Sequence, residues 1–137
     1  MPPLVPELSV SDVETSKKFY KEILGFVVKY ERPDEGFAYL ERQGAELMLD
    51  QIGKTRDWMT ASLEKPFGRG INFQIETSHV EQLYTSIKET AGDAIFLEIE
   101  TKHYKVGDSF IESRQFLVQD PDGYLLRFFE DIENTHA

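Results

Sequence analysis

Apolar and polar residues alternate between Leu4 and Val10, placing Leu4, Leu8 and Val10 on one side and Val5, Glu7 and Ser9 on the other. This predicts a first strand, with Pro6 pointing to an edge position or an interruption of the ladder. Ser11 with Glu14 reads as a capping box, and Val13, Ser16, Tyr20, Ile23 and Leu24 recur at helical spacing until Gly25 stops the helix. Strands follow over Phe26 to Glu31, Phe37 to Glu41 and Ala45 to Asp50, separated by a Pro33 to Gly36 turn and by Gly44. The stretch from Ile52 to Gly70 loses this regularity. It mixes Lys54, Arg56 and Lys65 with Trp58, Met59, Leu63 and Phe67, and is expected to be a linker containing a short helix.

Beyond it the pattern restarts. Ile71 to Glu76 alternates, Ser78 with Glu81 forms a second capping box, and Val80, Leu83, Tyr84 and Ile87 make a helical stripe ending near Gly92. A shift of 67 residues superposes Ser11 on Ser78, Val13 on Val80, Glu14 on Glu81, Lys21 on Lys88 and Gly25 on Gly92. Such matches at caps and core positions indicate an internal repeat. Ile95 to Glu100 and Phe110 to Gln119 are two further strands, with Lys102 to Asp108 as a long hairpin loop. The last strand follows the turn Asp120-Pro-Asp-Gly123, in which Pro121 presets φ and Gly123 accepts a positive one. In that strand Tyr124, Leu126 and Phe128 share one face, and Leu125, Arg127 and Phe129 the other. The pattern thus predicts an α+β chain of two βαβββ modules, about 3–51 and 70–132, joined by the linker 52–69 in one domain.

Composition narrows the function. The chain has 137 residues, 40% hydrophobic and 29% charged, enough for one domain with a core. Its 25 acidic against 15 basic residues give a formal charge of −10 without a basic stripe, which argues against nucleic acid as a partner. No apolar run is long enough to cross a membrane, and the start carries no secretory signal, so a cytoplasmic location is expected. The absence of cysteine excludes disulfides and thiolate chemistry. His79, His103 and His136 follow no metal-binding spacing, Gly68-Arg-Gly70 lacks the residues of a phosphate loop, and no GxSxG motif is present.

Lys18-Phe-Tyr-Lys-Glu-Ile-Leu-Gly-Phe26 and Asp120-Pro-Asp-Gly-Tyr-Leu-Leu-Arg127, set in two βαβββ units, resemble the vicinal oxygen chelate superfamily of glyoxalases, extradiol dioxygenases and bleomycin resistance proteins. The resemblance implies the glyoxalase-like fold, with curled mixed sheets whose concave faces form a cleft and helices outside. In metal-using members four concave positions supply ligands. Carried over through the motifs, these fall on Val5, Met48, Asn72 and Arg127, none of them a carboxylate or imidazole, and a fixed guanidinium repels a cation. The expectation is therefore no metal and no other cofactor.

Within that superfamily the chain most resembles the bleomycin resistance proteins, which hold the drug without a metal of their own and pair as homodimers with clefts lined by both chains. By strand parity, Glu7, Glu46, Asp50 and Glu76 are candidates for an acidic rim receiving a cationic, flat ligand, beside Met48, Asn72 and Arg127. Trp58 and Phe67 in the linker are candidates for stacking on its rings. Arg127 can bind an anionic group of the ligand or pair with a cleft carboxylate. The leading expectation is metal-independent sequestration of a bleomycin-like or other cationic aromatic antibiotic rather than catalysis. The alternative is a small-molecule enzyme of the same superfamily, glyoxalase- or dioxygenase-like, with a relocated or absent metal.

Overall fold

The computed structural model describes residues 2–136, with side chains described as far as Ile132. Its elements run β1 (Glu7–Val10), α1 (Val13–Lys18), β2 (Val27–Arg32), β3 (Phe37–Arg42), β4 (Ala45–Gln51), β5 (Asn72–Glu76), α2 (Val80–Ala91), β6 (Ile95–Val106), β7 (Ser109–Gln119) and β8 (Leu125–His136). They form two four-stranded mixed sheets, β1-β4-β3-β2 and β5-β8-β7-β6, in which the first strand of each βαβββ module pairs in parallel with its last. The chain divides into two compact units. The first runs through Arg69 and takes in Asp120–Tyr124; the second comprises Gly70–Gln119 and the segment from Leu125 onward.

In the first unit the alternation of β1 sends Leu8 and Val10 to the helix side, where they are buried with Val13, Tyr20, Leu24, Leu40, Leu47 and Leu49. The helix caps differ from the sequence expectation. Asp12, not Ser11, is the N-cap of α1, its carboxylate accepting from Glu14 N at 3.0 Å. Ser11 turns instead to Asp122, donating from both its backbone N–H and its hydroxyl. After Lys18 the helix widens into a π-helical turn over Phe19–Ile23, and Gly25 ends it at φ +81°, where a side chain would be strained. Residues 52–69 contain no helix, contrary to expectation. Their scattered apolar residues do not fall on one helical face.

The turn at residues 120–124 belongs to this first unit. Asp120 Oδ1 accepts the backbone N–H groups of Asp122, Gly123 and Tyr124, and its Oδ2 accepts the buried Tyr20 hydroxyl at 2.7 Å. Tyr124 reaches the Ser9 carbonyl at 2.8 Å, and Phe67 N–H donates to the Asp122 carbonyl. Gly123 has φ +101°, and a Cβ there would lie 2.5 Å from Pro66 Cβ, so glycine is required twice over.

In the second unit α2 covers its sheet with Val80 and Ile87, against Ile75, Phe116, Val118, Leu126 and Phe128; the Phe116 and Phe128 rings stack at 5.6 Å. Ser78 is not the N-cap. His79 occupies that position with φ 54°, and Glu130 from β8 accepts the backbone N–H groups of His79 and Val80 at 3.1 Å. The expected loop over Lys102 to Asp108 is mostly strand, since β6 and β7 continue to a tight turn with Val106 opposite Ser109. Exposure on both faces removes the alternation by which sequence reveals a strand.

Candidate functional site

Pairing register decides which side chains share the open face of the first sheet. Glu7 lies opposite Met48, Ser9 opposite Asp50, Met48 opposite Tyr39, Asp50 opposite Phe37, and Glu46 opposite Glu41. A bulge between Val28 and Tyr30 then brings Tyr30 against Tyr39 and Arg32 against Phe37. Glu7, Glu46, Met48 and Asp50 thus occupy one face, as strand parity requires. Val5 precedes β1, and the residue beside Met48 is Glu7.

This face is layered rather than acidic. Tyr30 stacks on Tyr39 at 5.0 Å and 21° and lies 6.0 Å from Phe37. The Arg32 guanidinium sits 4.0 Å from the Phe37 centroid, and that of Arg56 sits 5.8 Å from Phe37 and 5.0 Å from Trp58. Contacts therefore run from Trp58 through the Arg56 guanidinium to Phe37, and on from Phe37 to Tyr30 and Tyr39, with Arg32 also set on Phe37. Trp58, at one end of this run, is 78% exposed and Tyr30 41%, so both present open ring surface, whereas Tyr39 at the other end is buried. Phe67 does not: it is buried, edge-on to Tyr124 at 6.0 Å, and fastens the linker to the turn at 120–124.

Two of the acids are already paired. Glu7 accepts from Arg56 at 2.6 Å, and Glu46 from Lys29 at 3.0 Å, the latter bond holding the Glu46 carboxyl below its ordinary range and the Lys29 ammonium above its own. Asp50 is different. It is 5% exposed, its Oδ1 has no hydrogen-bond partner, and burial raises its pKa against the opposing attraction of Arg56 and Arg32. An unpartnered buried carboxylate oxygen is costly, and a ligand N–H aimed at it relieves that cost. Arg32 and Arg56 were missed in the sequence because a bulge and a linker, neither following strand parity, deliver them.

The second sheet has its own open face. Asn72 lies opposite Leu125, Gln74 opposite Arg127 and Glu76 opposite Phe129, so these side chains share a face with Gln115. The residue beside Arg127 is thus Gln74, not Asn72, and Gln74 follows from Glu7 by the repeat offset of 67. Asn72 and Glu76 are exposed. A pocket of about 350 Å³ opens here, lined by Gln74, Tyr104, Ile111, Ser113, Gln115, Arg127, Phe129 and Asp131. Arg127 donates to Gln74 Oε1 and forms no carboxylate pair among the described residues; its Nε is buried without a partner. Among the described residues no three His, Asp or Glu side chains converge as a metal site, and no helix is long and apolar enough to cross a membrane.

Residues 4–128 match the model of the Glyoxalase/Bleomycin resistance protein/Dioxygenase superfamily. A bleomycin resistance protein of Geobacillus stearothermophilus is 28% identical over 138 aligned positions, covering 95% of this chain and 97% of its own. A superfamily member from Vibrio splendidus 12B01 is 44% identical, with 93% and 97% of the two chains covered and a TM-score of 0.45. TioX from Micromonospora sp. ML1 shares the fold at a TM-score of 0.69, with 21% identity over 96% of this chain and all of that one.

Proposed function

Because the chain belongs to the glyoxalase/bleomycin resistance protein/dioxygenase superfamily, we propose that it is an antibiotic-binding resistance protein. In this reading it sequesters a flat, cationic aromatic drug of the bleomycin type, as a homodimer and without a metal of its own. The observation that carries the reading is the ring-and-cation run that exposes Trp58 and Tyr30, with the unpartnered Asp50 Oδ1 beside Phe37. Open ring surface takes an aromatic system by stacking, and Asp50 accepts N–H groups of the ligand. The Glu7–Arg56 pair is partly solvated, so an incoming ammonium displaces Arg56 from Glu7 at small cost. The chain at the former ligand positions supports binding over metal chemistry: Met48 lies between Glu7 and Tyr39, and Arg127 lies beside Gln74. The likeness to bleomycin resistance proteins along nearly the whole chain supports the choice of drug.

Calorimetric titration of the purified protein with metal-free and with copper-loaded bleomycin tests this, with the mass in solution measured alongside. Saturable binding at one drug per chain to a dimer, with the drug recovered intact, is the expected result. Trp58→Ala weakens it by about tenfold, the worth of one aromatic stack. No heat with either form, or conversion of the drug, removes the reading.

A further inference from the structure

We propose that the pocket of the second unit is a site for an aromatic oxyanion, a carboxylate or sulfonate carried on a ring system, with Arg127 as the group that recognises it. The proposal does not rest on drug binding at the first sheet. Arg127 is a permanent cation with five N–H donors in a planar fork, a shape that matches a two-oxygen anion. Among the described residues its hydrogen bond goes to a neutral amide oxygen, that of Gln74, while Nε is buried and unpartnered. The buried Nε is a donor kept from water without an acceptor, and a ligand oxygen would complete it.

Among the described residues nothing supplies the complement. Asp131 is the single carboxylate among the described residues lining the pocket; it is exposed and makes no ion pair with Arg127. Glu100 is engaged by the Gln115 amide, which donates to it at 3.1 Å while accepting the Tyr104 hydroxyl, also at 3.1 Å. That chain fixes Gln115 and Tyr104 in place as part of the wall. Phe129, Ile111 and the Tyr104 ring supply apolar surface for the body of the ligand. The volume of about 350 Å³ is within the range of small-ligand sites and accommodates a two-ring compound. An anion is also the class of ligand that the net charge of −10 disfavours elsewhere on the molecule, so preference for it requires a dedicated cation.

Two shape-matched probes of opposite charge, 2-naphthoate and 2-naphthylmethylammonium, separate this site from non-specific apolar binding. Titrations followed by calorimetry and by the side-chain N–H signals of Arg127, Gln74 and Gln115 are expected to show naphthoate binding about tenfold or more tightly than the ammonium probe, with those signals shifting. Arg127→Met removes the preference and leaves the fold intact, because the residue is half-exposed and gives up only its bond to Gln74; Arg127→Lys retains part of the preference. Equal affinity for the two probes, an unchanged preference in Arg127→Met, or shifts confined to other residues would overturn the assignment. Should Arg127→Met fail to fold, the lysine variant decides: full retention of fork-dependent affinity contradicts the proposal. Loss of bleomycin binding at the first sheet leaves this result untouched.

Discussion

Asp120 receives four donors, the Tyr20 hydroxyl and the N–H groups of Asp122, Gly123 and Tyr124, all of which favour its charged form. Burial outweighs them and lifts its pKa from 3.8 to about 6, while the same burial, with the Asp120 charge, pushes the Tyr20 hydroxyl well above its usual value. The folded state therefore binds this proton more tightly than the unfolded chain does. Stability from this group is complete below pH 4 and is lost as pH rises through 6, a change of about 3 kcal/mol at most for a shift of about two units. Asp120→Asn keeps the shape of the protonated acid and removes the titration. In urea denaturation the wild type is expected to gain on Asp120→Asn as pH falls from 7 to 4. A difference between them that does not change with pH would show that the four donors, not burial, set the pKa.

At the scale of the element, α2 shows how a long-range contact replaces a local signal. Ser78 and Glu81 have the spacing of a capping box, yet His79 sits at the N-cap in the left-handed region and the first free N–H groups go to Glu130, 51 residues away for His79. Glu130→Ala is expected to cost about 1–2 kcal/mol, the usual value of a cap together with its charge at the helix start. Hydrogen exchange at His79 and Val80 should quicken selectively, and unchanged protection there would assign the cap to another group. The same contrast explains what was legible. Leu8, Val10, Val80, Ile87, Leu126 and Phe128 report a buried face directly through their spacing, and so the two βαβββ modules and most strands could be read from the sequence. The two helix starts and the residues of 102–106 could not, because Asp122 and Glu130, which bond Ser11 and the first N–H groups of α2, lie far along the chain and 102–106 are exposed on both faces. The candidate site divides in the same manner. Parity placed Glu7, Glu46, Met48 and Asp50 together and the repeat offset leads from Glu7 to Gln74, whereas Arg32 required the bulge.

For the whole molecule, the order of the chain and the composition of the units disagree in one place. The first unit draws Asp120–Tyr124 from between β7 and β8, strands of the second. Those residues satisfy the buried Tyr20 hydroxyl, fasten Ser11 ahead of α1, receive Phe67 N–H, and tie Tyr124 to the Ser9 carbonyl. A fragment ending at Arg69 contains all four strands and the helix of the first module, but leaves Tyr20 without its acceptor inside a closed core and exposes the ring of Phe67 that Tyr124 covers. An unsatisfied buried hydroxyl alone costs about 1–3 kcal/mol, and loss of the Tyr124 ring adds a large-to-small penalty of about 3 kcal/mol or more. Against the few kcal/mol that hold a domain of this size together, that is decisive. Residues 1–69 expressed alone are therefore expected to show no cooperative urea transition and weak near-ultraviolet dichroism, whereas the full chain shows both. A sharp transition in the fragment would mean that the Asp120–Tyr124 turn decorates a module already stable by itself, and would shift the weight of the first unit's stability onto the β1-β4-β3-β2 sheet and its helix.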